Sequence, residues 1–177
     1  MKFLFTSMVV ALVLLTGCKK IDELTQFYIE YNEEVVIPAS TGISLPFNIL
    51  TPDIETNSEA TFESNNTNKD LIEEIVLTKL DLTLTSPSNE DFSFLESIGI
   101  YINADGLDEK RIAWQDDVPD NAGAILTLFT SPDDIKEYIK KDKYTLRVNA
   151  VTSEALAQDH SINVYSKFFV DAEVLGQ

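Results

Sequence analysis

The chain has 177 residues, 44% of them hydrophobic, and sets 30 acidic side chains against 13 basic ones for a formal charge of −17. That length supports one domain with a substantial core and falls short of two ordinary ones. The acid excess, with no basic patch, excludes nucleic-acid binding and opposes adsorption to anionic lipid, and a single cysteine excludes an internal disulfide, so the fold must be held by apolar burial.

Met1-Lys2 gives a positive start, residues 3–15 are apolar apart from Thr6 and Ser7, and Leu15-Thr16-Gly17-Cys18 runs straight into Lys19-Lys20. A charged start, a short apolar run and small residues before a cut make a secretory signal. As a helix at about 1.5 Å per residue, the run reaches roughly 20 Å against a hydrocarbon core of roughly 30 Å, so cleavage is expected and not a membrane span. The Leu-Thr-Gly-Cys ending resembles the lipobox of bacterial lipoproteins; an ordinary secretory signal with an incidental cysteine is the alternative. The resemblance implies that residues 1–17 are removed and that Cys18 is acylated to become the mature N-terminus. It also implies residence at the outer membrane, because inner-membrane lipoproteins commonly carry Asp after the cysteine and this chain has Lys19. Two or more acyl chains anchor firmly, since each buried CH₂ contributes roughly 0.8 kcal/mol. Lys20-Ile21-Asp22-Glu23 loosely resembles a surface-export signal, which leaves the periplasmic and the surface-facing side both open.

Residues 18–25 read as a lipidated tether and 26–177 as a single domain dominated by period-two alternation, the mark of half-buried strands. Phe27, Ile29 and Tyr31 share a face, and Val35-Val36-Ile37 follows until Pro38 stops it. Ile43, Leu45, Phe47 and Ile49 alternate next, with Pro46 marking an edge or a bulge. Residues 51–68 are rich in Thr, Asn, Ser and Glu and read as a long loop or a poorly formed edge, with a helical turn expected at 68–74. The clearest strand is 76–85, its dry face made by Val76, Thr78, Leu80, Leu82 and Leu84. Ser86-Pro87 leads into an expected short helix at 88–95, and Ser131-Pro132 into another at 133–140, each with a serine cap, an early proline and acidic residues near the positive end. Between them lie strands at Ile98-x-Ile100-x-Ile102, at 110–114 and at 124–130, the last apolar on both faces and so expected to be central. Tyr144, Leu146, Val148 and Ala150 alternate, and a final long strand carries Ile162, Val164, Ser166, Phe168, Val170, Ala172 and Val174 on one face, with a bend or bulge expected along it.

About eight strands with long connections and short helical crossovers point to an all-β, antiparallel Greek-key β-sandwich, with an open barrel as the alternative. The domain resembles the small immunoglobulin-like modules of secreted bacterial proteins and the whole chain resembles small bacterial outer-membrane lipoproteins, although no Cys…Trp…Cys core is present. No catalytic residues are expected. The lone histidine, His160, sits in Gln158-Asp159-His160-Ser161, where strand neighbours point to opposite faces and cannot form a relay, so a surface histidine at a strand entrance is expected. No cofactor is required. Calcium is the one metal considered, with Asp105 and Asp108 in the loop 103–109, and Asp116 and Asp117 in the loop 115–121, as ligands if the two loops meet at one end of the sandwich. The loop 103–109 fails as an EF-hand, because aligning Gly106 puts Tyr101 at the first ligand position and Ile112 at the last. Tyr28, Tyr101 and Tyr165 are placed opposite apolar neighbours, so with Trp114 and Tyr138 they either pair across strands and pack under loops or offer rings to a sugar or a protein; the loops 103–109 and 115–121 are the first candidates for a binding surface. The resulting expectation is a noncatalytic, lipid-anchored binding or structural module. Its partners are the membrane through the anchor and a glycan or an envelope protein. The alternatives are a hydrolase using acidic residues and a subunit of a pilus or nutrient-uptake complex.

Overall fold

The computed structural model describes residues 26–40 and 46–173. The expected leader, Cys18, the tether and Val174 lie outside the described residues, as do Ile43 and Leu45. Among the described residues ten strands run in chain order: β1 Gln26–Ile37, β2 Phe47–Leu50, β3 Ile54–Glu55, β4 Ile72–Ser86, β5 Leu95–Asn103, β6 Lys110–Gln115, β7 Ile125–Thr127, β8 Phe129–Thr130, β9 Lys143–Thr152 and β10 His160–Ala172. Among the described residues two short α-helices join them, α1 Ser58–Ser64 and α2 Lys136–Ile139. One sheet has four strands in the order β1-β10-β4-β7, and the other six, in the order β2-β9-β5-β6-β8 with β3 also on β9.

This is the antiparallel Greek-key sandwich that the alternation calls for. Its strand order departs from the immunoglobulin arrangement, which keeps its first two strands side by side in one sheet. Here the first and last strands pair, and most connections cross between sheets, which is the double Greek-key order of a jelly roll. The reason lies in β10. Its inner face, Ile162, Val164, Ser166, Phe168, Val170 and Ala172, is buried without a break in the alternation. It pairs with β1 in one continuous register, from Gln26 opposite Asp171 to Ile37 opposite His160. The bulge expected along the last strand falls instead on its other neighbour, β4.

That bulge corrects the reading of 76–85. Lys79 faces Lys167 and Leu77 faces Phe168, so Thr78 is the extra residue. An inserted residue shifts the pleat by one. Ile75 and Leu77 therefore point inward before it and Leu80, Leu82 and Leu84 after it, while Val76 and Thr78 leave the dry face. Residues 124–130 are corrected as well. They form two short edge strands, β7 on β4 and β8 on β6, with the chain passing between sheets at the buried Leu128. Their double apolar character comes from outward Ile125 and Phe129, which are exposed, and not from burial on both faces.

The helical expectations shrink. Only a 3-10 turn at Phe92–Phe94 forms within 88–95, because Phe92, Phe94 and Leu95 are all drawn into the core. Of 133–140 only the single turn α2 is helical. The reverse holds at 51–68, where β3 and α1 replace the expected loop. Phe62 is fully buried and meets Phe27 edge-on, and the Thr56 hydroxyl accepts from the Ser58 amide while donating to the Lys141 carbonyl at 2.6 Å. At 68–74 the expected turn is a 3-10 turn, Lys69–Leu71, that feeds β4 directly. His160 is not a surface residue: it is 1% exposed. Its Nε2 lies 2.5 Å from Glu90 and its Nδ1 3.0 Å from the Gln158 carbonyl, and its ring packs 4.4 Å from that of Phe94, pinning the β4–β5 connection to the start of β10.

Asp134 ties α2 to β4, since its Oδ1 accepts from the amides of Ile75 (3.1 Å) and Lys136 (2.9 Å). Burial acts to raise its pKa, but those two amides and the Lys136 ammonium outweigh burial, and the carboxyl sits below its ordinary value of 3.8. A depressed carboxylate contributes stability above its unfolded pKa, and that stability is lost as pH falls through the folded value. The stability gap between the native chain and Asp134→Asn is therefore expected to be full at neutral pH and to close below 3.8, checked by urea denaturation at stepped pH; a gap independent of pH contradicts the assignment. In the same assay Phe62→Ala is expected to cost about 3–5 kcal/mol and Phe129→Ala no more than about 0.5 kcal/mol. Equal losses would mean that α1 is not docked through Phe62.

Candidate functional site on the six-stranded sheet

The outer face of the six-stranded sheet carries two rows that run across the strands. Pairing register places Asn48, Asn149, Gly99, Trp114 and Phe129 in one row, on β2, β9, β5, β6 and β8. The neighbouring row holds Leu50, Arg147, Tyr101 and Arg111. At about 4.8 Å between strands, the first row spans roughly 19 Å.

Hydrogen bonds fix much of this surface. The Arg147 guanidinium grips Glu109 with both arms of its fork, Nε to Oε1 at 2.7 Å and Nη2 to Oε2 at 2.6 Å. These bonds hold the Glu109 carboxyl below its ordinary value of 4.5. The third nitrogen, Nη1, donates to Asn48 Oδ1 at 2.7 Å, and Asn149 Nδ2 donates to the same oxygen at 3.0 Å. The guanidinium carbon also lies 4.1 Å from the Tyr101 ring centroid, close enough for a cation–π contact. On the other side, Arg111 donates to Asp116 and stands 5.2 Å from the Trp114 ring centroid, while its buried Nε has no hydrogen-bond partner.

Gly99 leaves room for its neighbours' side chains. A Cβ at this buried position would lie 3.2 Å from Tyr101 Cε2 and 3.4 Å from Arg111 Nε. Without one, the Tyr101 ring and the Arg111 side chain lie close against the backbone. A glycine inside a strand often marks such a close approach. Leu50 and Phe129, each 64% exposed, flank the rows at the two sheet margins.

The aromatic residues expected to offer rings divide between the two sheets: Tyr101 and Trp114 lie on this platform, whereas Tyr28 and Tyr165 lie on the outer face of the four-stranded sheet. Tyr28 is 56% exposed with the Lys167 ammonium 4.4 Å from its ring, and Lys79 stands 5.8 Å from that of Tyr165. That second face is laced by ordinary ion pairs, Lys167 with Glu30 across β10 and β1, and Lys79 with Asp81 along β4. Tyr138 is turned to structure, donating to the Asp108 carbonyl at 2.5 Å.

The calcium arrangement does not assemble. Asp105 and Asp108 lie in the β5–β6 turn, while Asp116 and Asp117 follow β6 at its opposite end. A strand of that length keeps the two pairs roughly 15–20 Å apart. Among the described residues no group of three or more His, Cys, Asp and Glu side chains is placed to hold a metal ion. Asp105 instead borders a depression of about 380 Å³ with Asp53, Lys143 and the turn at Gly106. A second depression, about 450 Å³, is lined by Glu55, Glu59, Glu63 and Asp142 beside α1. For acid–base hydrolysis one carboxyl should hold its proton more tightly than usual. Glu33 on β1 does so because of its burial, but it lines neither depression. Asp159 accepts from the Ala39 amide at 2.8 Å and takes no part in a relay with His160.

Arg147, Glu109, Asn48, Asn149, Gly99 and Phe129 do not stand out in the amino-acid sequence. Arg147 and Asn149 are visible there as the outward positions of β9, and Gly99 as a glycine inside a strand; what the sequence lacks is the register that sets them side by side.

No protein-family model matches the chain, and no curated protein matches it. Among solved structures it is similar to CpGH89CBM32-5 from Clostridium perfringens, in complex with GalNAc-beta-1,3-galactose, with a TM-score of 0.37, 11% identity, and coverage of 81% of this chain and 97% of that one. It is also similar to Tomato Aspermy Virus, with a TM-score of 0.35, 14% identity, and coverage of 80% and 76%. A structure of carbohydrate-binding modules from the beta-sandwich super family scores 0.30 at 11% identity, covering 85% of this chain and 56% of that one. Likeness at this level carries no functional argument, and the reading of this chain rests on its own side chains.

Proposed function

We propose that this chain is a noncatalytic module that binds a glycan on the outer face of its six-stranded sheet and is held at the outer membrane by lipid on Cys18. The observation that carries the reading is the cross-strand row of Trp114 and Phe129 with Asn48 and Asn149, and Tyr101 in the next row, close against Gly99. Aromatic rings cover the apolar C–H face of a sugar, and fixed amides meet its hydroxyls. Preorganisation supports the reading too. The Arg147 fork orders Asn48 before any ligand arrives, which lowers the entropic cost of binding.

The lipobox at Cys18 supports the anchor, and a tether of eight residues, 18–25, would hold the domain close to the bilayer. A second reading, an envelope-protein partner, is favoured by the exposure of Leu50 and Phe129 at the margins of the same platform, because Trp, Tyr and Arg surrounded by apolar residues are also the material of protein hot spots. A pilus subunit completed by a neighbour's strand has less support, since β10 takes both of its partners from its own chain.

The test uses cells producing the full chain. The native protein is expected in the membrane fraction and Cys18→Ala in the soluble fraction. Purified mature chain is expected to be retarded in gels containing soluble polysaccharide. A Cys18→Ala variant that stays with membranes would remove the anchor, and a native chain that no saccharide retards, while a cross-linker placed at Phe129 captures a single envelope protein, would favour the second reading.

A further inference from the structure

The platform is electrically self-contained, and this bears on which glycan it takes. Arg147 is matched by Glu109 through two short bonds, and its remaining nitrogen is spent on Asn48. Arg111 is matched by Asp116. Neither guanidinium is left as an uncompensated cation for an anionic ligand. A uronate or sulfated sugar would also approach a chain whose formal charge is −17.

Arg111 Nε has no partner but is buried, and the exposed polar atoms left over point the same way. Asn48 Oδ1 is used twice, by Arg147 and Asn149, so Asn48 presents its Nδ2 donor. Asn149 spends one Nδ2–H on that contact, keeps the other, and presents its Oδ1 acceptor. The two residues face each other across β2 and β9. A donor beside an acceptor fits a hydroxyl group, which accepts from one and donates to the other. A carboxylate only accepts, and it would meet the lone pairs of Asn149 Oδ1. Trp114 stands two strands away from Asn149 in the same row, roughly 10 Å, which is more than one sugar ring.

We infer that the platform selects an uncharged oligosaccharide, with one sugar hydrogen-bonded to Asn48 and Asn149 and a following one stacked on Trp114. This rests on the glycan reading above and adds the ligand's charge and minimum length.

The experiment is calorimetric titration of the purified mature chain with neutral di- and trisaccharides, and with the same compounds carrying one sugar oxidised at C6 to a uronate. The neutral member of each pair is expected to bind at least about tenfold more tightly. Trp114→Ala and Asn48→Ala, both on the outer face, are each expected to weaken it by about tenfold while leaving the unfolding midpoint near that of the native chain. Glu109→Gln, which leaves the Arg147 charge unmatched, is expected to narrow or reverse the preference between neutral and uronate partners. Equal or tighter binding of the uronate form by the native chain would overturn the inference and leave the glycan reading standing. Neutral binding that survives both alanine variants would overturn the placement on this face. Failure of every saccharide, charged or not, would overturn both the inference and the glycan reading.

Discussion

The structure depends on the thirteen residues of β10 lying between β1 and β4. The described residues contain no cysteine, so no disulfide crosses the core, and the first and last described strands, β1 and β10, are held together by pairing with each other. That pairing works because β10 keeps a strict period of two from Ile162 to Ala172, and every mismatch in length is absorbed by extra residues on β4. Both ends of β10 are tied down. His160 holds Glu90 at one end, and at the other the Glu173 carbonyl accepts from the Thr67 hydroxyl at 2.6 Å, next to the segment that carries α1.

The four-stranded sheet built around β10 gives the opposite sheet a fixed surface to pack on, and from this the platform follows. β9 and β5 sit in the middle of the six-stranded sheet with inner faces buried: Tyr144, Leu146, Val148 and Ala150 on one, Ile98, Ile100 and Ile102 on the other. Their outward residues therefore have no freedom to change face, since a slip of one position would expose the core. Recognition surfaces on loops must limit motion at each encounter. One built on central strands is held by the same burial that folds the domain.

Most of the fold was legible as alternation, and so was the outward face taken by Tyr28, Tyr101 and Tyr165. Alternation reports which side of a strand a residue takes but not where an extra residue sits, so the bulge at Thr78 reversed the reading of Val76 without leaving a sign in composition. It also treats exposed and buried apolar residues alike, which is why Ile125 and Phe129 made an edge segment look central. The segment around Phe62 was hidden for the converse reason: one buried ring among polar residues leaves no period to detect, yet it suffices to dock a short helix. The separation of Asp105 from Asp116 was legible in principle, because a single strand between two loops sends them to opposite ends. The platform needed register. Nothing local connects Asn48 with Asn149, or Glu109 with Arg147, and their bonds exist only once β2, β9, β5 and β6 are aligned.

The central claim is that recognition takes place on the outer face of the six-stranded sheet and not on loops or on the opposite face. Its most direct measurement is a map of NMR chemical-shift changes in the mature chain as a neutral oligosaccharide is added. Changes gathered on the Trp114 indole, the Asn48 and Asn149 side-chain amides and the backbone of Gly99 and Tyr101 are the predicted result. Changes gathered at 104–108, at 117–124 or around Tyr28 and Tyr165 would contradict it.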